Sequence, residues 1–274
     1  MVQNAEGEQQ SVTFPADQCL RLGQIFARLF SPALKVFQVP FTAPVLGLAQ
    51  ASSASQEAGL LRFPAPEDGK ITVHEYQAIQ RFHALPCDQQ LGIIMRLATQ
   101  QKPDDPFGFT AEIYQPDQSV ICKFQTRLRT LDTADFRRMR GTGLPRNIAA
   151  TELQTITSTV INAGLVADYI ALSGDNNPLH VDDIYAQGYG LERAIVPGML
   201  LVGALETVVD HLLPGHHVDE VRVRFLAPVL VGTRVRFGLQ MKSLDGQNSK
   251  RARIFILTEG DIVAAIADVF LSRP

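Results

Sequence analysis

"SGDNNPLH", Ser173–His180, sets a carboxylate, two carboxamides, a proline and a closing histidine inside otherwise apolar sequence. Asp, Asn and Pro are turn formers, and Gly174 is a natural left-handed cap for a helix ending there, so one reading is a plain surface turn. Three features favour a reactive segment. Pro178 stiffens the stretch between Asp175 and His180, so a rigid turn sets their relation. It also keeps Asn177 out of helical geometry, which makes the segment an overhang. Finally, both flanking elements read as buried. Upstream, Asn162 is placed as the N-cap of a helix running through Ala171. Downstream, a helix from Pro197 or Gly198 to about Leu212 is apolar nearly all round and has to be enclosed.

Outward from these helices the sequence turns to strands. "TITSTVI" precedes them; "EVRVRFLAPVLV", "TRVRFGLQMKSL", "RARIFILTE" and "IVAAIADVFLS" follow, parted by the glycine-bearing turns "LVGT", "LDGQN" and "EGD". A buried helix followed by an antiparallel meander predicts an α+β sheet wrapped around a helix. The pattern occurs twice. Arg81-Phe82, Pro86 and Leu91 recur as Arg224-Phe225, Pro228 and Val235, and "IYQPDQSVICKFQTRLR" recurs in spacing as "ILTEGDIVAAIADVFLS". The basic stretch "FRRMRGTGLPRN", Phe136–Asn147, reads as the join. The expected organisation is a first unit over 1–136, a linker over 137–150 and a second unit over 151–274.

Composition narrows the function. With 46% hydrophobic and 19% charged residues a well-buried core is expected rather than disorder. A net charge of −3 argues against nucleic acid as a partner. Three cysteines without CxxC spacing argue for a reduced, intracellular chain without a zinc ribbon. The start "MVQNAEGEQQ" has no secretory pattern, and the apolar run Ala194–Leu205 is too short to span a bilayer. A cytoplasmic protein acting on a small molecule, off the membrane, is the expectation.

A carboxylate and an imidazole on one turn can hold a water between them and move protons near neutral pH. Water addition or elimination at an activated carbon also needs a place for an enolate-like oxygen. "VPGML" supplies one, because Gly198 falls in the first turn of a buried helix, where backbone N–H groups are unpaired and the dipole is positive. "SGDNNPLHVDDIYA" followed by "AIVPGML" resembles the signature of the MaoC-like, R-specific enoyl-CoA hydratases and 3-hydroxyacyl thioester dehydratases. The resemblance covers roughly residues 160 to 274 and implies a hotdog fold, with the duplication making a double hotdog. It implies that Asp175 and His180 activate water, that Gly198 makes the oxyanion contact, and that Asn177 buttresses the overhang. It further implies a trans-2-enoyl and (3R)-3-hydroxyacyl thioester pair, presented on coenzyme A or an acyl carrier protein, with no metal and no separate cofactor. Where that family usually has His before Gly-Met-Leu, this chain has Pro197, which suits a helix start and is expected to alter substrate fit.

Aligning the halves places "FSPALKVF", Phe30–Phe37, opposite the polar segment, with no Asp, Glu or His between Asp17 and Glu57. The first half is therefore expected to be a degenerate hotdog whose Phe30, Phe37, Phe41, Val45 and Leu48 line a slot for the acyl tail, leaving one site per chain, with a homodimer as the candidate assembly. His74 and His83 read as sheet-face residues and His216-His217 as paired solvent histidines. Arg222, Arg224, Arg234 and Arg236 read as one basic sheet face, solvated or docking phosphates, and "RRMR" over 137–140 has the same two readings; Cys87 reads as inert. Two rivals stay open: a non-catalytic acyl-thioester-binding protein and a hotdog thioesterase.

Overall fold

The computed structural model describes residues 9–30, 69–97, 107–242 and 250–273. Among them, ten strands pair antiparallel in one sheet, ordered β1-β3-β4-β5-β2-β7-β10-β9-β8-β6. The first five are β1 (Gln9–Thr13), β2 (Lys70–Arg81), β3 (Gln90–Leu97), β4 (Phe107–Tyr114) and β5 (Val120–Asp132). The second five are β6 (Gln154–Thr157), β7 (His217–Phe225), β8 (Arg236–Lys242), β9 (Lys250–Thr258) and β10 (Ile262–Ser272). The order is a palindrome: each half contributes the same five-strand set, and β2 and β7 join at the centre. Helices α1 (Ala16–Arg28), α2 (Thr133–Arg138), α3 (Ala163–Ser173), α4 (Asp183–Gly188) and α5 (Gly198–Leu212), with three short 3₁₀ turns, complete the described elements. None is long and apolar enough to cross a membrane.

The repeat extends to backbone detail. The β4–β5 and β9–β10 hairpins both turn through a non-glycine residue with positive φ, Gln118 at 68° and Asp261 at 59°, as their matching sequences predict. Leu91 and Val235 also correspond, both buried at the start of the third strand or just before it. The pairing of Arg81-Phe82 with Arg224-Phe225 is one residue out. Strand register makes Arg81 the counterpart of Phe225, with the pair Ala78↔Arg222 on the local two-fold axis. A single-residue difference in the loops hides this from a side-by-side reading.

Caps explain the helix limits. Asn162 Oδ1 accepts from Leu165 N at 2.9 Å to start α3, and Gly174, at φ 72°, ends it. The predicted strand "TITSTVI" stops at Thr157, because Ser158 Oγ takes the Val235 N–H and turns the chain away. The predicted join is not a loose tether over its whole length. Phe136, on α2, is 2% exposed, and Thr142 bridges to Val263 of β10.

Alternating apolar positions turn one face of the sheet onto α1 and α5. The helices approach so closely that a Cβ on Gly203 of α5 would lie 2.0 Å from Cζ of Phe26 on α1. Phe26 is 1% exposed; burying such a ring contributes about 1.5–3 kcal/mol, so this contact is a principal joint between the halves.

Candidate active site

The polar segment is a chain of local hydrogen bonds. After the Gly174 cap, Asp175 N donates to Ser173 Oγ at 3.3 Å, and Asp175 Oδ1 accepts from Asn177 N at 3.4 Å. Asn177 Oδ1 in turn accepts from Leu179 N at 3.1 Å and caps a short 3₁₀ turn, Pro178–His180. Asn177 therefore buttresses the overhang through its side chain. Leu179 is buried, and Ile195 N donates to its carbonyl at 2.9 Å, which stitches the overhang to the segment entering α5.

His180 is held from both sides. Its Nδ1 lies 2.8 Å from the Ile195 carbonyl oxygen, which can only accept, so Nδ1 carries the proton and Nε2 presents a lone pair in the neutral ring. Nε2 is 3.5 Å from Asp175 Oδ2, too far for a strong direct bond and suited to a water that donates to both. The His180 side chain is 10% exposed and that of Asp175 is 34%, so the carboxylate faces the opening.

The start of α5 faces the same space. Pro197 is the N-cap, at φ −56° and ψ 129°, and Gly198 is the first helical residue. Its N–H lies at the very start of the helix, ahead of the first bonded turn (Leu200 N donates to the Pro197 carbonyl at 3.1 Å), at the positive end of the dipole. Asp175, Asn177, His180 and Gly198 all line one cavity of about 390 Å³. Pro197 is buried behind the wall, which passes from Val196 to Gly198. Phe37, Phe41, Val45 and Leu48 lie outside the described residues. Phe30, the one expected slot residue that is described, instead packs in the core, its ring meeting Phe237 edge-on at 5.3 Å, and does not line this cavity.

Sequence reasoning missed His74. It sits on β2 of the first half, yet it lines the same cavity and packs on Phe225 with ring centroids 4.8 Å apart. Burial pushes its pKa down to about 4, and its Nε2 lies 3.1 Å from the Tyr76 carbonyl oxygen. Phe136, just before "RRMR", and Met139 within it also reach the cavity, while Arg138 pairs with Asp135 at 2.8 Å.

Other expectations need correcting. His83 lies beyond the end of β2 and is exposed. His216 is 6% exposed, with Arg273 Nε donating to its Nε2 at 3.2 Å, so it is not a solvent histidine. The arginine face does not lie on adjoining strands, because β10 and β9 separate β7 from β8. It is laced by carboxylates: Arg222 pairs with Glu220, Arg236 with Asp261, and Arg251 and Arg253 share Asp268. Cys87 neighbours the buried Cys19 thiol, whose pKa burial pushes up to about 12. No group of three or more His, Cys, Asp or Glu able to hold a metal occurs among the described residues.

The MaoC like domain profile matches residues 146–259. Over 117 residues the chain is 32% identical to the (R)-specific enoyl-CoA hydratase of Aeromonas caviae, spanning 41% of this chain and 86% of that protein. It is 30% identical over 101 residues to the mitochondrial 3-hydroxyacyl-[acyl-carrier-protein] dehydratase FERN of Solanum lycopersicum, spanning 35% of this chain and 61% of that one. A solved MaoC-like dehydratase shares the fold along the whole length, with a TM-score of 0.76 at 15% identity, covering 100% of this chain and 99% of that one. The fold and the relatives define a hotdog enzyme of the lyase type. The chain belongs to the MaoC-like family of hydratases and dehydratases.

Proposed function

We propose that the protein reversibly hydrates a trans-2-enoyl thioester to the (3R)-3-hydroxyacyl thioester. One observation carries the reading: the Asp175–His180 pair and the Gly198 helix start share a single cavity. A water between Asp175 Oδ2 and His180 Nε2 gives a proton to the imidazole as its oxygen attacks C3. The thioester oxygen gains enolate character against the Gly198 N–H, and the proton then adds at C2. The reverse sequence is dehydration. The (3R) outcome and the thioester substrate follow the names of the relatives. Coenzyme A or phosphopantetheine enters as part of the substrate, and no metal or further cofactor has a role in this reading.

Incubation with crotonyl-CoA tests it. Loss of the conjugated enoyl absorbance means hydration. Release of free thiol means a thioesterase, and binding without either change means a non-catalytic acyl-thioester protein.

The division of labour belongs to the same proposal. Residues 151–274 form the catalytic hotdog, 137–150 join the halves, and 1–136 form a degenerate hotdog that takes the acyl tail along Phe37, Phe41, Val45 and Leu48. Leu48→Trp should then impair long-chain substrates far more than crotonyl-CoA, and equal loss at all lengths would sink the slot. One site per chain requires one tight-binding inhibitor molecule per chain. We place this chemistry in the cytoplasm, with a homodimer as the assembly to test by sedimentation.

A further inference from the structure

We propose that His74 is a positioning residue of this site, lent by the first half of the chain, which acts through Phe225 to hold open the Gly198 helix start. The inference rests on the hydratase reading above.

The backbone makes the loan possible. β2 pairs with β5 as His74↔Leu128 and then Tyr76↔Arg127, so Glu75 is one residue too many. Such a bulge swaps the faces of a strand. Gln77 and Ile79 beyond it face the core; in an unbroken strand His74 would share the outer face with Tyr76. The extra residue turns His74 inward beside Leu128, and both line the cavity. Glu75 is held in place by Arg129 at 2.5 Å.

The second half keeps the same device without the histidine. β7 and β10 pair as Val218↔Leu271 and then Glu220↔Phe270, so Asp219 is the extra residue, and its carboxylate accepts from Ser272 Oγ at 2.9 Å. The counterpart of His74 is thus Val218, and the counterpart of Phe225 is Arg81, which donates to the Val218 carbonyl at 2.7 Å. Two rings meet on one side of the axis only, the side that holds Asp175 and His180.

From His74 the contact runs to the reacting end. The imidazole packs on Phe225, and Phe225 Cε1 and Cζ stand 3.0 Å from where a Cβ on Gly198 would lie. A ring this close to the first residue of α5 controls the space open to a carbonyl oxygen there. The Nε2–H donated to the Tyr76 carbonyl fixes the plane of the imidazole, so the stack has little freedom to slide.

The test is kcat and KM on crotonyl-CoA for wild type, His74→Ala and His74→Phe, with melting curves on each. His74→Ala should lower kcat about 10- to 100-fold, the scale of a displaced reacting group, while the protein stays folded at the assay temperature. His74→Phe keeps a ring on Phe225 and should recover most of that loss. Wild-type kcat/KM in folded His74→Ala overturns the inference, as does a His74→Phe variant no better than His74→Ala. A loss matched by the unfolded fraction on the melting curve also overturns it. Wild type without turnover overturns the hydratase reading first, and this inference with it.

Discussion

His180 Nε2 stands 3.5 Å from Asp175 Oδ2, while Nδ1 of the same ring lies 2.8 Å from the Ile195 carbonyl oxygen. The backbone contact, not the carboxylate, decides which nitrogen carries the proton. Asp175 is thereby left free to hold a water against the lone pair. Asp175→Asn and His180→Gln should each cut kcat by roughly 10²–10⁴-fold, the usual cost of losing a general acid or base. Both side chains border the cavity, so melting temperatures should barely move. More than about half the activity in either variant would remove that residue from the mechanism.

Gly198→Val would press its side chain into Phe225, whose nearest ring carbons stand 3.0 Å from where the new Cβ would lie. Loss of an oxyanion donor costs about 10²–10³-fold, and kcat should fall on that scale. Pro197→His puts the family's usual residue at a buried N-cap and should be neutral or activating. A folded but inactive Pro197→His protein would show a site rebuilt around proline.

Acid should weaken the fold through His74. Burial lowers its pKa from 6.5 to about 4. With a depressed folded value, the unfolded chain takes up the proton first as pH falls. The contribution is therefore complete above about 6.5, shrinks between about 6.5 and 4, and levels off below. The loss from pH 7 to pH 5 should be about 2 kcal/mol at 1.36 kcal/mol per pKa unit. Denaturant titrations at both pH values should show this drop in wild type and a smaller one in His74→Phe. An equal drop would assign the acid sensitivity to other groups.

Gly203→Ala should destabilise, although alanine is the better helix former by about 1 kcal/mol. The new methyl would overlap Phe26 Cζ, and overpacking of this kind costs about 1–3 kcal/mol. Phe26→Leu in the same chain should return part of that loss. Simple additivity of the two changes would mean the helices shift apart freely.

Chemistry local to a few residues was readable in advance. Asn162 and Gly174 bracket α3, and Pro197 and Gly198 open α5, because caps answer to neighbours three or four positions away. The polar segment was readable for the same reason: its bonds run between residues two apart. His74 was not, since its face depends on an extra residue judged against β5, far along the chain. His216 escaped likewise, because the partner that completes its setting is Arg273, near the other end of the second half. The arginine face failed on strand order. Period two identifies a face, but which strands are neighbours is decided by topology.

The palindromic order also decides what the sheet shows to other molecules at its rims. A strand with one bare flank is a template on which a foreign strand can grow, and long apolar flanks invite aggregation. Among the described residues the outermost strands are β1, "QQSVT", and β6, "QTIT", five and four residues long. Both are shorter and more polar than the interior strands β2 and β5 of 12 and 13 residues, which are enclosed on both flanks. A visiting chain finds only a few rungs at either rim. Duplication has doubled the sheet while leaving each end as hard to extend as that of a single unit.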